Sequence, residues 1–177
     1  LATPRDSLVK FNKNIASDYY AGSGLQYLSD YLGKATVENS IKQFYSENKG
    51  KPETATAFQN VLEQNSSLPV NWFFEEYVEK RTAIDFKIDR VTKRGDSLEV
   101  RIKNKRNNRM PVSVYGLSKD SIVYKKWTSP IDSLETVVIP SEGVRQLALN
   151  YEAVIPEFNQ RNNYKKVNGL FNRPIQF

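Results

Sequence analysis

Hydrophobic positions along this chain follow two periods, and the change falls near residue 80. Before it, apolar residues recur at helical spacing. Leu25, Leu28 and Leu32 form one stripe with Tyr27 and Tyr31 beside it, and Gly33 ends the run as a helix stop. Val37, Ile41, Phe44 and Tyr45 form the next stripe, closed by Asn48-Lys49-Gly50. Thr54 is placed to cap a third helix carrying Phe58, Val61 and Leu62. Pro69 suits the first turn of a fourth, with Val70, Phe73, Phe74 and Tyr77. Helices this short are not stable alone, so the pattern predicts four short helices sharing one core.

After residue 80 the apolar residues alternate. Phe86 and Ile88 are followed by a turn at Lys93-Arg94-Gly95-Asp96, and then Leu98, Val100 and Ile102 stand opposite Glu99, Arg101 and Lys103. A second turn at Arg106-Asn107-Asn108-Arg109 leads to Val112 and Val114. Ile122 with Tyr124, Val137 with Ile139, and Leu147, Leu149 and Tyr151 continue the alternation. Turn signals about every ten residues predict an antiparallel, immunoglobulin-like β-sandwich. The Asn-rich tail from Pro156, with Asn159, Asn162, Asn163, Asn168 and Asn172, is expected to lie across the sandwich without regular structure. The expected class is therefore α+β: a helical subdomain over residues 1–80 and a β-sandwich domain over 81–177.

Charge divides at the same place. Residues 1–80 hold 8 Lys/Arg and 10 Asp/Glu, a net of −2; residues 81–177 hold 18 and 10, a net of +8, which together give +6. Composition matters most for what it removes. The 177 residues include no histidine and no cysteine, the main ligands of zinc, so a zinc site and Ser-His-Asp or Cys-His catalysis are not available to this chain. Twenty Asp plus Glu remain, but no pair stands at a convincing spacing for a carboxylate hydrolase. No run approaches the ~20 apolar residues that cross a bilayer, so no direct membrane span is expected. The first residue is Leu1 and the last six alternate into apolar positions; the chain is expected to be a carboxy-terminal piece of a longer product.

Order and spacing carry a resemblance. Asp18-Tyr19-Tyr20-Ala21-Gly22 precedes the helix ending at Leu32-Gly33; Phe44-Tyr45, Phe58 with Val61-Leu62, and Trp72-Phe73-Phe74 come next; then Asp85-Phe86-Lys87-Ile88-Asp89-Arg90-Val91. From Asp18 to Phe177 this layout resembles the end of the catalytic domain, and the β-domain behind it, of the aminopeptidase N and leukotriene A4 hydrolase family of zinc metallopeptidases (gluzincins). With the closing Asn-Arg-Pro segment, it looks like the large exported members of Bacteroidetes-type bacteria. The chain departs from the family's Tyr-x-Lys-Gly turn, whose Lys is missing. The zinc motif, H-E-x-x-H with a later Glu, lies upstream of this region in the family.

The resemblance implies that this chain has no cofactor of its own and is not an enzyme by itself, with zinc belonging to the parent protein. Its partners would be the upstream catalytic domain of the same polypeptide and the parent's peptide substrate, with no nucleic acid. Its place would be the periplasm, the outer membrane or outside the cell. The family's turn tyrosine donates to the oxyanion formed when zinc-bound water attacks a peptide carbonyl, and Tyr20, with Gly22 two residues on, fits that position better than Tyr19. Read from the residues alone, both are packing aromatics at a helix start.

The remaining constellations read as structure. Trp72, Phe73 and Phe74 are expected to pack the helices. Glu75, Glu76 and Glu79 are expected to form a solvated face, as are Asp85, Asp89 and Asp96. Arg101, Lys103, Lys105, Arg106 and Arg109 lack the interleaved aromatics of a single-strand binder and are expected on the polar face of a strand and in a hairpin turn. Gly22-Ser23-Gly24 is too short for a phosphate cradle and supplies backbone freedom. The alternative to the peptidase reading is a module of a secreted bacterial protein that binds a protein or a glycan.

Overall fold

The computed structural model describes residues 20–50, 54–119 and 121–167. The chain divides into two compact units, one ending at Arg81 and one starting at Thr82. The first is helical and the second is built from two antiparallel sheets.

The helical unit contains α1 (Tyr20–Leu32), α2 (Lys34–Glu47), α3 (Ala55–Asn65) and a fourth helix at Phe73–Lys80 wound as a π-helix. Gly33 separates α1 from α2 at φ 91°, a left-handed conformation that glycine adopts without a Cβ clash. Thr54 caps α3: its hydroxyl accepts from the Ala57 amide at 3.2 Å. Trp72, 2% exposed, is the centre of the core. Tyr27 meets it at 4.7 Å between ring centroids, Tyr31 edge-on at 5.5 Å and Phe73 at 5.8 Å. A second aromatic row runs from Phe44 to Phe58 to Phe74 at 5.5 and 6.3 Å. Such tilted and edge-on pairs suit the ring quadrupole and add to the area they bury. Gly24 is buried under Tyr77, and a Cβ at that position would overlap the Tyr77 ring.

The second unit holds β1 (Phe86–Arg94), β2 (Ser97–Asn104), β3 (Ser113–Ser118), β4 (Ser121–Trp127), β5 (Leu134–Pro140), β6 (Gln146–Leu149) and β7 (Tyr164–Lys166). The three-stranded sheet has the order β1-β2-β5 and the four-stranded sheet β4-β3-β6-β7. Alternation decides which side faces the core. Leu98, Val100 and Ile102 are 0% exposed, while Arg101 and Lys103 between and beyond them face solvent. Strand β1 of one sheet packs with β6 and β7 of the other.

Two expectations need correcting. The segment Arg106–Arg109 is not a hairpin turn: β2 pairs with β1 and β5, and β3 with β4 and β6, so this segment carries the chain from one sheet to the other. Buried Asn104 holds the crossing, its Nδ2 donating to the Asn108 carbonyl at 2.6 Å, to Asn108 Oδ1 at 2.9 Å and to the Ile131 carbonyl at 3.0 Å. The tail, too, adds regular structure: a 3-10 turn at Arg161–Asn163 leads into β7, which pairs with β6. Asn168 and Asn172 lie outside the described residues.

Side-chain amides tie that tail down. Asn150, at φ 49°, donates to the Ile155 carbonyl at 2.7 Å and accepts from the Ile155 amide at 2.9 Å. Glu157 accepts from the Phe86 amide at 2.9 Å, Asn150 at 3.0 Å and Asn163 at 2.6 Å. Burial of its carboxylate outweighs these three donors and raises its pKa.

This packing has two measurable consequences. Gly24→Ala, forced against Tyr77, is expected to lose about 1–3 kcal/mol in urea denaturation. Glu157 binds its proton more tightly folded than unfolded, so its contribution is fully present below the ordinary carboxylate value of 4.5 and is lost as pH rises through the raised folded value. Wild-type stability should fall with pH across that interval more steeply than that of Glu157→Gln; parallel slopes would refute this assignment.

Candidate functional site

Tyr20 opens α1, where its ring lies on Tyr77 of the fourth helix at 4.4 Å and 9° between planes. Each hydroxyl serves the other's backbone: Tyr20 donates to the Tyr77 carbonyl at 2.9 Å and Tyr77 to the Tyr20 carbonyl at 2.9 Å. The Arg81 guanidinium stands 5.5 Å from the centre of the Tyr20 ring. Burial raises the Tyr20 pKa, so its phenol stays protonated at neutral pH. In this arrangement its one proton is engaged by Tyr77, and donation to a substrate oxyanion would require that bond to open. Tyr19 lies outside the described residues.

Trp72, Phe73 and Phe74 are all buried. The acidic triplet beside them is split. Glu75 and Glu79 are exposed, but Glu76 is 7% exposed, with Oε1 2.8 Å from Lys80 and Oε2 without a hydrogen-bond partner among the described residues. Asp85, expected at the surface, is 2% exposed and takes Lys105 at 3.0 Å and Arg106 at 3.7 Å. No group of three His, Cys, Asp or Glu among the described residues could hold a metal ion. A further cluster joins Tyr115, Glu152 and Lys125. Tyr115 and Lys125 each reach Glu152 Oε2 at 2.6 Å, and burial first, then the bond to Glu152, pushes the Tyr115 phenol up to about 12.

The basic stretch is regrouped by folding. Lys105 and Arg106 go to Asp85, whereas Arg101 joins Arg90 and Arg94 of the neighbouring strand. With Thr92, Glu99 and Thr136 they line a cleft of about 250 Å³ on the outer face of the three-stranded sheet. Arg90 pairs in register with Arg101, and Arg101 with Thr136. Reading the positive charges as one linear run missed this grouping. Its signal was the alternate spacing of Arg90, Thr92 and Arg94, which the Gly95 turn folds back onto Glu99 and Arg101.

Fold and residues together define an α+β chain with a helical unit and a unit of two antiparallel sheets, and neither holds a metal-binding constellation among its described residues. In three dimensions the chain is similar to aminopeptidase A of Legionella pneumophila, solved in complex with aspartic acid: the TM-score is 0.60 at 14% identity, over 81% of this chain and 17% of that one. The likeness is one of fold, and this chain spans only that small share of the aminopeptidase. No family model and no curated protein sequence matches the chain. No helix among the described residues is long and apolar enough to cross a membrane.

Tyr20→Phe keeps the stacked ring but removes the hydroxyl's hydrogen bond to the Tyr77 carbonyl. It is expected to cost about 0.5–1.5 kcal/mol in chemical denaturation, the net value of such a bond. An unchanged midpoint would show that the hydroxyl contributes nothing to folding.

Proposed function

We propose that this chain is a non-catalytic carboxy-terminal part of an aminopeptidase-like zinc metallopeptidase, completing one wall of the substrate cleft and linking the catalytic domain to domains behind it. The observation that carries this reading is the match of 81% of the chain to 17% of the Legionella aminopeptidase A, a large share of this chain on a small share of that one. The donor chemistry is consistent with it. A catalytic zinc takes three protein ligands, mostly imidazoles, and this chain has no histidine to give. Zinc would therefore be held by an upstream catalytic domain of the same polypeptide, and Tyr20 is the one residue here given a part in catalysis, as an oxyanion donor once its bond to Tyr77 opens.

The second unit is then an immunoglobulin-like sandwich. In its support, the strands lettered in order give A-B-E in one sheet and C′-C-F-G in the other, with Greek-key crossings between them. In the helical unit, Leu25 and Tyr45 are 39% and 63% exposed, as fits a face that an upstream domain would cover. An exported bacterial parent acting on peptides is part of the same reading.

The test is to express the polypeptide encoded by the whole reading frame beside this chain and assay both on aminoacyl-nitroanilides with zinc. The long form is expected to hydrolyse them, to lose activity to a chelator, and to lose kcat in Tyr20→Phe; the short form should be inert. Hydrolysis by the short form, or an upstream sequence unlike a peptidase domain, would overturn the proposal. The second of these results would leave a protein- or glycan-binding module.

A further inference from the structure

Three arginines meet on the outer face of the three-stranded sheet because of one extra residue. The register of β1 on β2 shifts between Ile88 and Arg90, which leaves Asp89 as the bulged residue and sets Arg90 directly opposite Arg101. Like charges at directly opposed positions repel. Asp89 relieves only one of the two: it accepts from Arg101 at 2.7 Å and takes Lys87 at 3.1 Å. Arg94, two side chains along the same face, reaches Glu99 at 3.4 Å with its own side chain 67% exposed and that of Glu99 39% exposed. The Arg90 guanidinium has no ion-pair or hydrogen-bond partner among the described residues, although its backbone lies in the β1–β2 ladder. The lining of the cleft thus carries three guanidinium groups against one carboxylate, with the Thr92 and Thr136 hydroxyls between them.

We propose that this cleft binds a phosphate or sulfate ester group. A carboxylate offers two oxygens in one plane, and two cations satisfy it, as Arg101 on Oδ2 and Lys87 on Oδ1 already do for Asp89. A tetrahedral ester presents three free oxygens in different directions, which matches donors arriving from β1 and β2 and hydroxyls arriving from β1 and β5. At about 250 Å³ the cleft has room for several waters at ~30 Å³ each, and it lies below the usual ~300–1,000 Å³ of a drug-sized site. It therefore takes the charged group and leaves the rest of the molecule outside. The anion supplies the charge that Arg90 lacks and bridges it to Arg101 across the strand pair.

The probes are methyl phosphate and methyl sulfate, added to the full chain at constant ionic strength against chloride and followed through the arginine Nε–H resonances. Saturable shifts are expected at Arg90, Arg94 and Arg101. Arg90→Ala should weaken binding about tenfold or more, as for one charge-assisted bond, and Arg90→Lys, which keeps the charge and loses the fork, should weaken it less. Lys165→Ala, on the other sheet, should change nothing. Tighter binding of one ester names the class of partner, and equal binding supports the site for either. Shifts that rise without saturation, that chloride reproduces, or that persist unchanged in folded Arg90→Ala would overturn the proposal.

Discussion

Buried and half-buried side chains that satisfy backbone groups hold each unit together internally. No disulfide assists them, because the chain has no cysteine. Tyr20 and Tyr77 exchange hydroxyl-to-carbonyl bonds between α1 and the fourth described helix of their unit. Asn104 clamps the passage between the sheets, and Asn150 with Glu157 clamps the tail. A buried carbonyl left without a donor costs roughly 1–3 kcal/mol, so each clamp matters more than one exposed ion pair of about 0–1 kcal/mol. Aromatic burial around Trp72 and aliphatic burial around Leu98, Val100 and Ile102 supply the driving force; the clamps decide which arrangement it stabilises.

The same logic sorts the charges. Asp85 is buried and takes two cations; in such a place a carboxylate without partners would be strongly destabilising. Asp89 sits at a bulge, and the hydrogen bonds from Arg101 and Lys87 hold its pKa low. Within the cleft, Arg90 is the arginine without a carboxylate partner among the described residues, on a strand whose register is set by that bulge. A positive net charge by itself says only that the surface attracts anions. The register makes it a place with a shape.

The likeness to the Legionella aminopeptidase and the absence of histidine complement each other. The likeness is one of fold, and the composition lacks histidine and cysteine, the residues that supply most zinc ligands. The tyrosine that the family resemblance marks is engaged in packing and hydrogen bonding within the helical unit. Any role in a larger site would come from its position at the start of α1.

By itself the sequence determined the α+β class, the helix stop at Gly33, the Thr54 cap, the Gly95 turn and the inward set Leu98, Val100 and Ile102. These come from local rules: dihedral freedom, side-chain capping and a fixed two-residue period. It also shows a chain without histidine or cysteine, the commonest zinc ligands, which folding cannot supply. Only the tertiary structure decided that Arg106–Arg109 crosses between sheets, that Asp85 and Glu76 are buried, that the Asn-rich tail forms a strand, and that Arg90 faces Arg101. Each of these depends on which distant segment pairs with which and on a one-residue shift in register, and side-chain periodicity carries no record of either.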